Sequence, residues 1–170
     1  MHTQAEATMA TSFGDMFLKV ESARSGAIKG EANDSVHAGE IDVVGWSWGM
    51  RSASAMGGSG PAAKSSLELL NVVKQVDSAS TGLMSVMRNN DLVKKAVLSV
   101  RKSGGSPLDY FVVTIENGRI TSYDVEAGGA ENQTLVEKVS FSFQKINVEY
   151  AGQDEKGQKK GGMSFTAEIE

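Results

Sequence analysis

The sequence predicts a mainly β fold, an antiparallel β-barrel of two packed sheets with one short flanking α-helix. Three observations predict it. Short segments of β-branched, aromatic and alternating residues, bounded by Gly, Asn and Ser clusters, recur along the chain and give roughly eight strands. Between two of them stands Asn117-Gly118, a pair suited to the positive φ angles of a two-residue hairpin turn. The alternation of "LVEKVSFSFQKINVEY" also slips phase, with Leu135, Val139, Phe141 and Phe143 at odd positions but Ile146, Val148 and Tyr150 at even ones. A slip near Gln144 and Lys145 marks a bulge or a strand crossing between sheets, both of which occur where sheets curl into barrels or sandwiches.

In chain order, residues 1–15 read as a disordered N-terminal extension and residues 16–170 as a single domain, long enough to bury a real core. "MFLKVES" reads as a strand and the turn-rich "GEANDSVHAGE" as its exit. "EIDVVGWSWGM", residues 40–50, reads as a second strand, in which alternation sends Trp46 and Trp48 to one face and Gly45, Ser47 and Gly49 to the other. The bulky face is read as core. "RSASAMGGSGPAA", residues 51–63, is small and Gly/Ser-rich, the composition of a mobile loop. "KSSLELLNVVKQVD" fits neither strict alternation nor a clean helical stripe. Ser80 offers an N-cap to "TGLMSVMRNN", where Leu83, Met84 and Met87 form one helical face. "KAVLSVRK" and "MSFTAEI" add strands. The hairpin register predicted from the Asn-Gly turn pairs Glu116 with Arg119, Thr114 with Thr121, Val112 with Tyr123 and Tyr110 with Val125.

Composition narrows the function. With 17 basic against 21 acidic residues there is no general attraction for a polyanion, so nucleic acid is not an expected partner. Cysteine is absent, and two histidines do not supply the ligand set of a structural zinc site. No apolar run approaches the roughly 20 residues of a bilayer span, so membrane insertion is not expected. The first fifteen residues lack a basic n-region and an apolar h-region, which predicts export by a route without a cleaved signal peptide.

The candidate chemistry is sparse. His37 has Asp34, Glu40 and Asp42 near it in sequence, with Ser47 as a conceivable nucleophile. Nothing in that spacing forces them together, and a surface histidine in a polar turn is the commoner case. "GSGPAAKS", residues 58–65, differs from a P-loop in having Ala63 for the second glycine, and Pro61 removes a backbone amide that such a loop needs. No catalytic, metal or cofactor site is therefore expected. The residue chemistry leaves three readings open: a structural subunit, a monomeric β-barrel that binds a small ligand, and a hydrolase using His37 and Ser47.

Residues 30–50 carry a resemblance. Gly30-Glu31, Asp34, His37, Glu40-Ile41-Asp42-Val43 and Trp46-Ser47-Trp48-Gly49 resemble the haemolysin-coregulated proteins (Hcp), the tube subunits of bacterial type VI secretion systems. "KQVDSASTGLM", "VRKSGG" and the run from "LDYFVVTIENGRITSYDVEAGG" onward follow the same family's order, so that the resemblance covers about residues 16–169. The tail before Met16 is longer than the family usually shows, and Thr81 stands where a proline often opens the helix. The resemblance implies a homohexameric ring that stacks head to tail into a tube. It also implies effector proteins sheltered in the lumen, a tip spike protein and a contracting sheath as partners, and passage from the cytoplasm to the outside. On that basis Gly45, Ser47 and Gly49 become candidate lumen residues, and Ser52, Ser54, Met56 and Gly58 a candidate subunit-interface loop.

Overall fold

The structure, a computed structural model, describes residues 15–52, 65–102, 108–128, 134–153 and 159–169. The N-terminal extension up to Gly14, the loop residues Ser54, Met56 and Gly58, and most of "GSGPAAKS" lie outside the described residues. Asp15, assigned above to the extension, is described, and its carbonyl accepts a hydrogen bond from the Arg101 amide at 3.0 Å.

Thirteen strands and one helix are present among the described residues. The first strands are β1 (Met16–Ser22), β2 (Gly26–Ile28), β3 (Ile41–Asp42), β4 (Gly45–Ser47), β5 (Met50–Arg51), β6 (Ser66–Leu67) and β7 (Leu70–Gln75). After α1 (Ser80–Arg88) come β8 (Val93–Arg101), β9 (Asp109–Gly118), β10 (Ile120–Ala127), β11 (Leu135–Phe141), β12 (Lys145–Gln153) and β13 (Lys159–Glu168). A large sheet runs β13-β12-β9-β8-β1-β2, with β3 also on β1, and a four-stranded sheet runs β10-β11-β7-β4; β5 and β6 form a small ribbon. All the pairings are antiparallel. The predicted class therefore holds as two packed sheets with a flanking helix, although the described strands do not close into one barrel.

Alternation explains the core. Leu18 and Val20 of β1, Ala96 and Leu98 of β8, Val113 and Ile115 of β9 and Ile146 of β12 point inward from the large sheet and are buried. Leu70 and Val72 of β7 and Val139 and Phe141 of β11 meet them from the four-stranded sheet. Each of these Val, Leu, Ile and Phe side chains contributes about 1.5–3 kcal/mol by leaving water, and Ala96 less. The large sheet's outer face is largely polar, apart from Val97, Val112 and a Phe17 covered by His37. One register row across it reads Glu21, Lys95, Glu116, Lys145 and Glu168, alternating in charge, with Lys145 4.0 Å from both Glu116 and Glu168.

The Asn-Gly turn does not make the predicted hairpin. Asn117 does take a positive φ of 55°. However, β9 has both edges occupied, by β8 and β12, so β10 cannot pair with it and joins β11 in the other sheet. Gly118–Arg119 is thus a corner where the chain changes sheets. The phase slip after Phe143 is a second corner, carrying the chain from β11 back to β12. The two corners lie side by side: the Ser142 amide donates to the Arg119 carbonyl at 2.9 Å, and the Gln144 amide to that of Glu116 at 3.0 Å. A Cβ on Gly118 would sit 1.9 Å from the Ser142 carbonyl oxygen, so this close approach requires glycine.

The run from Glu40 to Met50 is likewise not one strand. It breaks into β3, β4 and β5, which pair with β1, β7 and β6 in turn, because the chain crosses from the large sheet to the four-stranded one. The ambiguous "LLNVVKQ" is the strand β7. In the helix, Leu83 and Val86 are buried and Met87 packs against the core, but Met84 is 38% exposed and does not belong to the inner face.

Candidate functional site

The four-stranded sheet carries two of the three residues predicted for the lumen wall, Gly45 and Ser47 of β4. On β4, Trp46 turns inward and stacks on Phe111 of the large sheet, 5.7 Å between ring centroids, and Trp48 packs against the same core. Ser47 between them is exposed, so the predicted alternation holds over this short stretch. Ser47 stands in register with Asn71 of β7, which stands opposite Ser140 of β11, which faces Ser122 of β10. The Ser140 hydroxyl donates to Asn71 Oδ1 at 2.6 Å, and Asn71 Nδ2 reaches Ser47 Oγ at 3.5 Å. This row is short, uncharged and polar from end to end.

Gly45 lies in the next row with Val73, Lys138 and Asp124. A Cβ there would meet nothing nearer than 4.0 Å, so the bareness at Gly45 is not imposed by packing within the subunit. Gly49 is half-buried, and a Cβ on it would come within 3.1 Å of the Arg51 guanidinium. Of the predicted interface loop, Ser52 alone is described, and it is exposed.

The imagined hydrolase does not assemble. His37 is buried, and its two ring nitrogens face Glu40 and Asp109, each at 3.0 Å, so neither is left to activate Ser47. Its ring stacks on Phe17 at 4.4 Å. Asp34 serves the backbone instead: Oδ2 accepts from the Val36 and His37 amides, and Oδ1 accepts from Arg101. Asp42 sits apart with Glu31 and Asp77 along a groove, where burial and then the neighbouring Asp77, Asp34 and Glu31 charges raise its carboxyl above the usual range.

A buried polar cluster at the helix start was missed. Lys74 and Glu137 have no exposed side-chain surface and form an ion pair. The Ser80 hydroxyl donates to Glu137 at 2.7 Å while accepting from Lys74 and from the Asp77 amide, and the Tyr123 hydroxyl donates to the other Glu137 oxygen. Burial opposes ionisation of Glu137, but the Lys74, Tyr123 and Ser80 hydrogen bonds outweigh it and hold its carboxyl below the usual value. Burial, with the Glu137 contact, pushes the Tyr123 phenol up. Ser80 is therefore not the N-cap. Ala79 occupies that position, and its amide is satisfied by the Asp77 carboxylate at 3.0 Å. A signal was available: Lys74 follows Leu70 and Val72, and Glu137 precedes Val139 and Phe141, so both charges stand in the inward phase of their strands.

The family model described as "Type VI secretion system effector, Hcp" matches residues 17–150. The Protein hcp1 of Pseudomonas aeruginosa is 35% identical over 151 residues, covering 87% of this chain and 90% of that protein. A solved structure of a type VI secretion system effector from Yersinia pestis superposes with a TM-score of 0.73 at 27% identity, covering 91% of this chain and all of that one. A further type six secretion system protein superposes with a TM-score of 0.77 at 22% identity, covering 88% and 91% of the two chains, and shares the fold.

Proposed function

We propose, from the premise that this chain belongs to the Hcp family of type VI secretion system proteins, that it is the structural subunit of the secretion tube rather than an enzyme. Six copies form a ring, rings stack head to tail, and the lumen carries effector proteins while the sheath contracts behind the tip spike. The chain is cytoplasmic until firing and is then secreted without a cleaved signal peptide. Residues 16–170 act as one domain in this assembly.

One observation carries the lumen assignment: the outward face of the four-stranded sheet is bare and uncharged along the row Ser47, Asn71, Ser140, with Gly45 beside it where packing does not require glycine. Such a row suits a wall past which cargo must slide, and the charges of the adjoining rows, Lys138 with Glu126, are paired with each other. The predicted small-ligand binder has less support, because the space between the sheets is occupied by Leu18, Ile41, Leu70, Leu98, Phe141 and Ile146.

Light scattering with negative-stain imaging of the purified protein tests the reading. Closed rings several times the subunit mass are expected. A stable monomer at micromolar concentration, with no rings in micrographs, would overturn it.

A further inference from the structure

We infer that His37 and Arg101 form a pH-gated latch that ties the segment 29–40 to the base of the β8–β9 hairpin. The latch has two bolts. Arg101, the last residue of β8, binds the Asp34 carboxylate. Asp109, the first residue of β9 and the register partner of Arg101, holds His37 Nε2 at 3.0 Å. Both bolts therefore run from one segment to one end of the large sheet.

The His37 bolt is charged by geometry. A neutral imidazole has one N–H, whereas both ring nitrogens here face carboxylate oxygens at 3.0 Å; only the imidazolium donates to both. The groups facing it are Glu40 from its own segment, Asp109 from β9 and the Phe17 ring from β1. Over Phe17, at 5.0 Å, lies the Arg101 guanidinium, itself paired with Asp34 and within 3.9 Å of Asp15. Two cations are thus set among four carboxylates at this end of the sheet.

The bolts differ in what can undo them. Arg101 stays protonated at any working pH, and its hydrogen bond holds the Asp34 carboxyl down to about 2. The Asp34 bolt is therefore closed throughout the neutral range. For His37, burial pulls the imidazole pKa down, but the Asp109 and Glu40 bonds outweigh burial and leave it above the ordinary value. A raised histidine pKa stabilises fully below the unfolded value of about 6.5, and that stabilisation is lost as pH rises through the folded value. Alkalinisation opens one bolt and leaves the other shut. The start of the segment stays fixed, since Glu31 accepts from the Ser78 amide at 2.6 Å and the Lys29 carbonyl accepts from the Ser78 hydroxyl.

The experiment is a histidine NMR titration of the full chain, with His2→Ala to assign the remaining ring, combined with amide exchange across the same pH range and corrected for intrinsic rates. His37 is expected to titrate above about 6.5, and protection of residues 33–40 to fall by up to about tenfold per unit of pH between about 6.5 and that folded midpoint and to level off above it, while β12 and β13 are unaffected. Asp109→Asn should lower the midpoint. His37→Gln should show weaker protection at pH 6 and no pH dependence. The latch is overturned if His37 titrates at or below the ordinary imidazole value, if protection of 33–40 does not follow the titration, or if His37→Gln keeps the pH dependence. Should His37→Gln fail to fold, the wild-type and Asp109→Asn titrations decide the matter alone.

Discussion

The two faces of the four-stranded sheet are made from alternate residues of the same strands, yet they obey opposite rules. The inner face carries Trp46, Val72, Lys74, Glu137, Val139 and Tyr123, every one packed or paired. The outer face carries Ser47, Asn71, Ser140 and Ser122 along one row, small polar residues joined by a 2.6 Å bond from Ser140 to Asn71 and a 3.5 Å approach of Asn71 to Ser47. Because the side-chain period of a strand is two, one residue separates a position where substitution is costly from one where it is tolerated. The family's work is expected of the outer face, and the stability that lets it be so bare comes from the inner one.

The largest effect should come from the inner face. Glu137→Ala leaves the buried Lys74 ammonium with only the Asp77 carboxylate, 2.9 Å away, and takes the acceptor from the Ser80 and Tyr123 hydroxyls; the expected loss is about 3 kcal/mol in urea unfolding, the low end of the range for breaking a buried pair. Replacing both partners, Lys74→Met with Glu137→Leu, removes the two charges together but still leaves the Ser80 and Tyr123 hydroxyls without that acceptor, so it should recover only part of the loss. If Glu137→Ala costs under about 1 kcal/mol, Asp77 alone suffices to neutralise Lys74 and Glu137 is not the partner that holds the inner face together.

Trp48→Ala is expected next, at about 3 kcal/mol, the low end of the usual range for a large aromatic because Trp48 is only half-buried. For a chain of this size the melting midpoint should fall by roughly 6–12 °C. Trp48→Phe sharpens the test. The indole Nε1 is buried and has no hydrogen-bond partner among the described residues, so the phenyl ring gives up area without giving up a bond, and the midpoint should fall by much less than with alanine.

These two sites mark how far the fold was legible in the sequence. The Trp46-Ser47-Trp48 stretch was readable because alternation is local. So was the sheet change after Phe143, since a phase slip in a single run records it. The Asn117-Gly118 corner was misread for the converse reason: turn chemistry reports the backbone angles of two residues, and it carries no word that both edges of β9 are already taken. Lys74 and Glu137 were visible as charges in the inward phase, but their partnership spans 63 residues and only the pairing of β7 with β11 brings them together. His37 and Asp109, 72 residues apart, meet for the same kind of reason.

Ser47→Gln should have the smallest effect on stability and a large one on function. The side chain is exposed, its one described contact is a 3.5 Å approach from Asn71, and its strand neighbours hold their places through Trp46 and Trp48. Adding an exposed polar side chain should change stability by no more than about 0.5 kcal/mol, and ring formation should persist. What changes is the bore. On the proposed six-fold ring, every copy would place the longer amide on one belt of the lumen, where it would displace an effector surface docked against the hydroxyl row. Co-purification of an effector with wild type and with Ser47→Gln measures this, with melting and ring imaging of both proteins as the control. Loss of effector from intact rings places the cargo on the outer face. If instead Ser47→Gln melts as early as Trp48→Ala, Ser47 is covered in the assembly, and this face of the sheet is a subunit contact rather than a lumen wall.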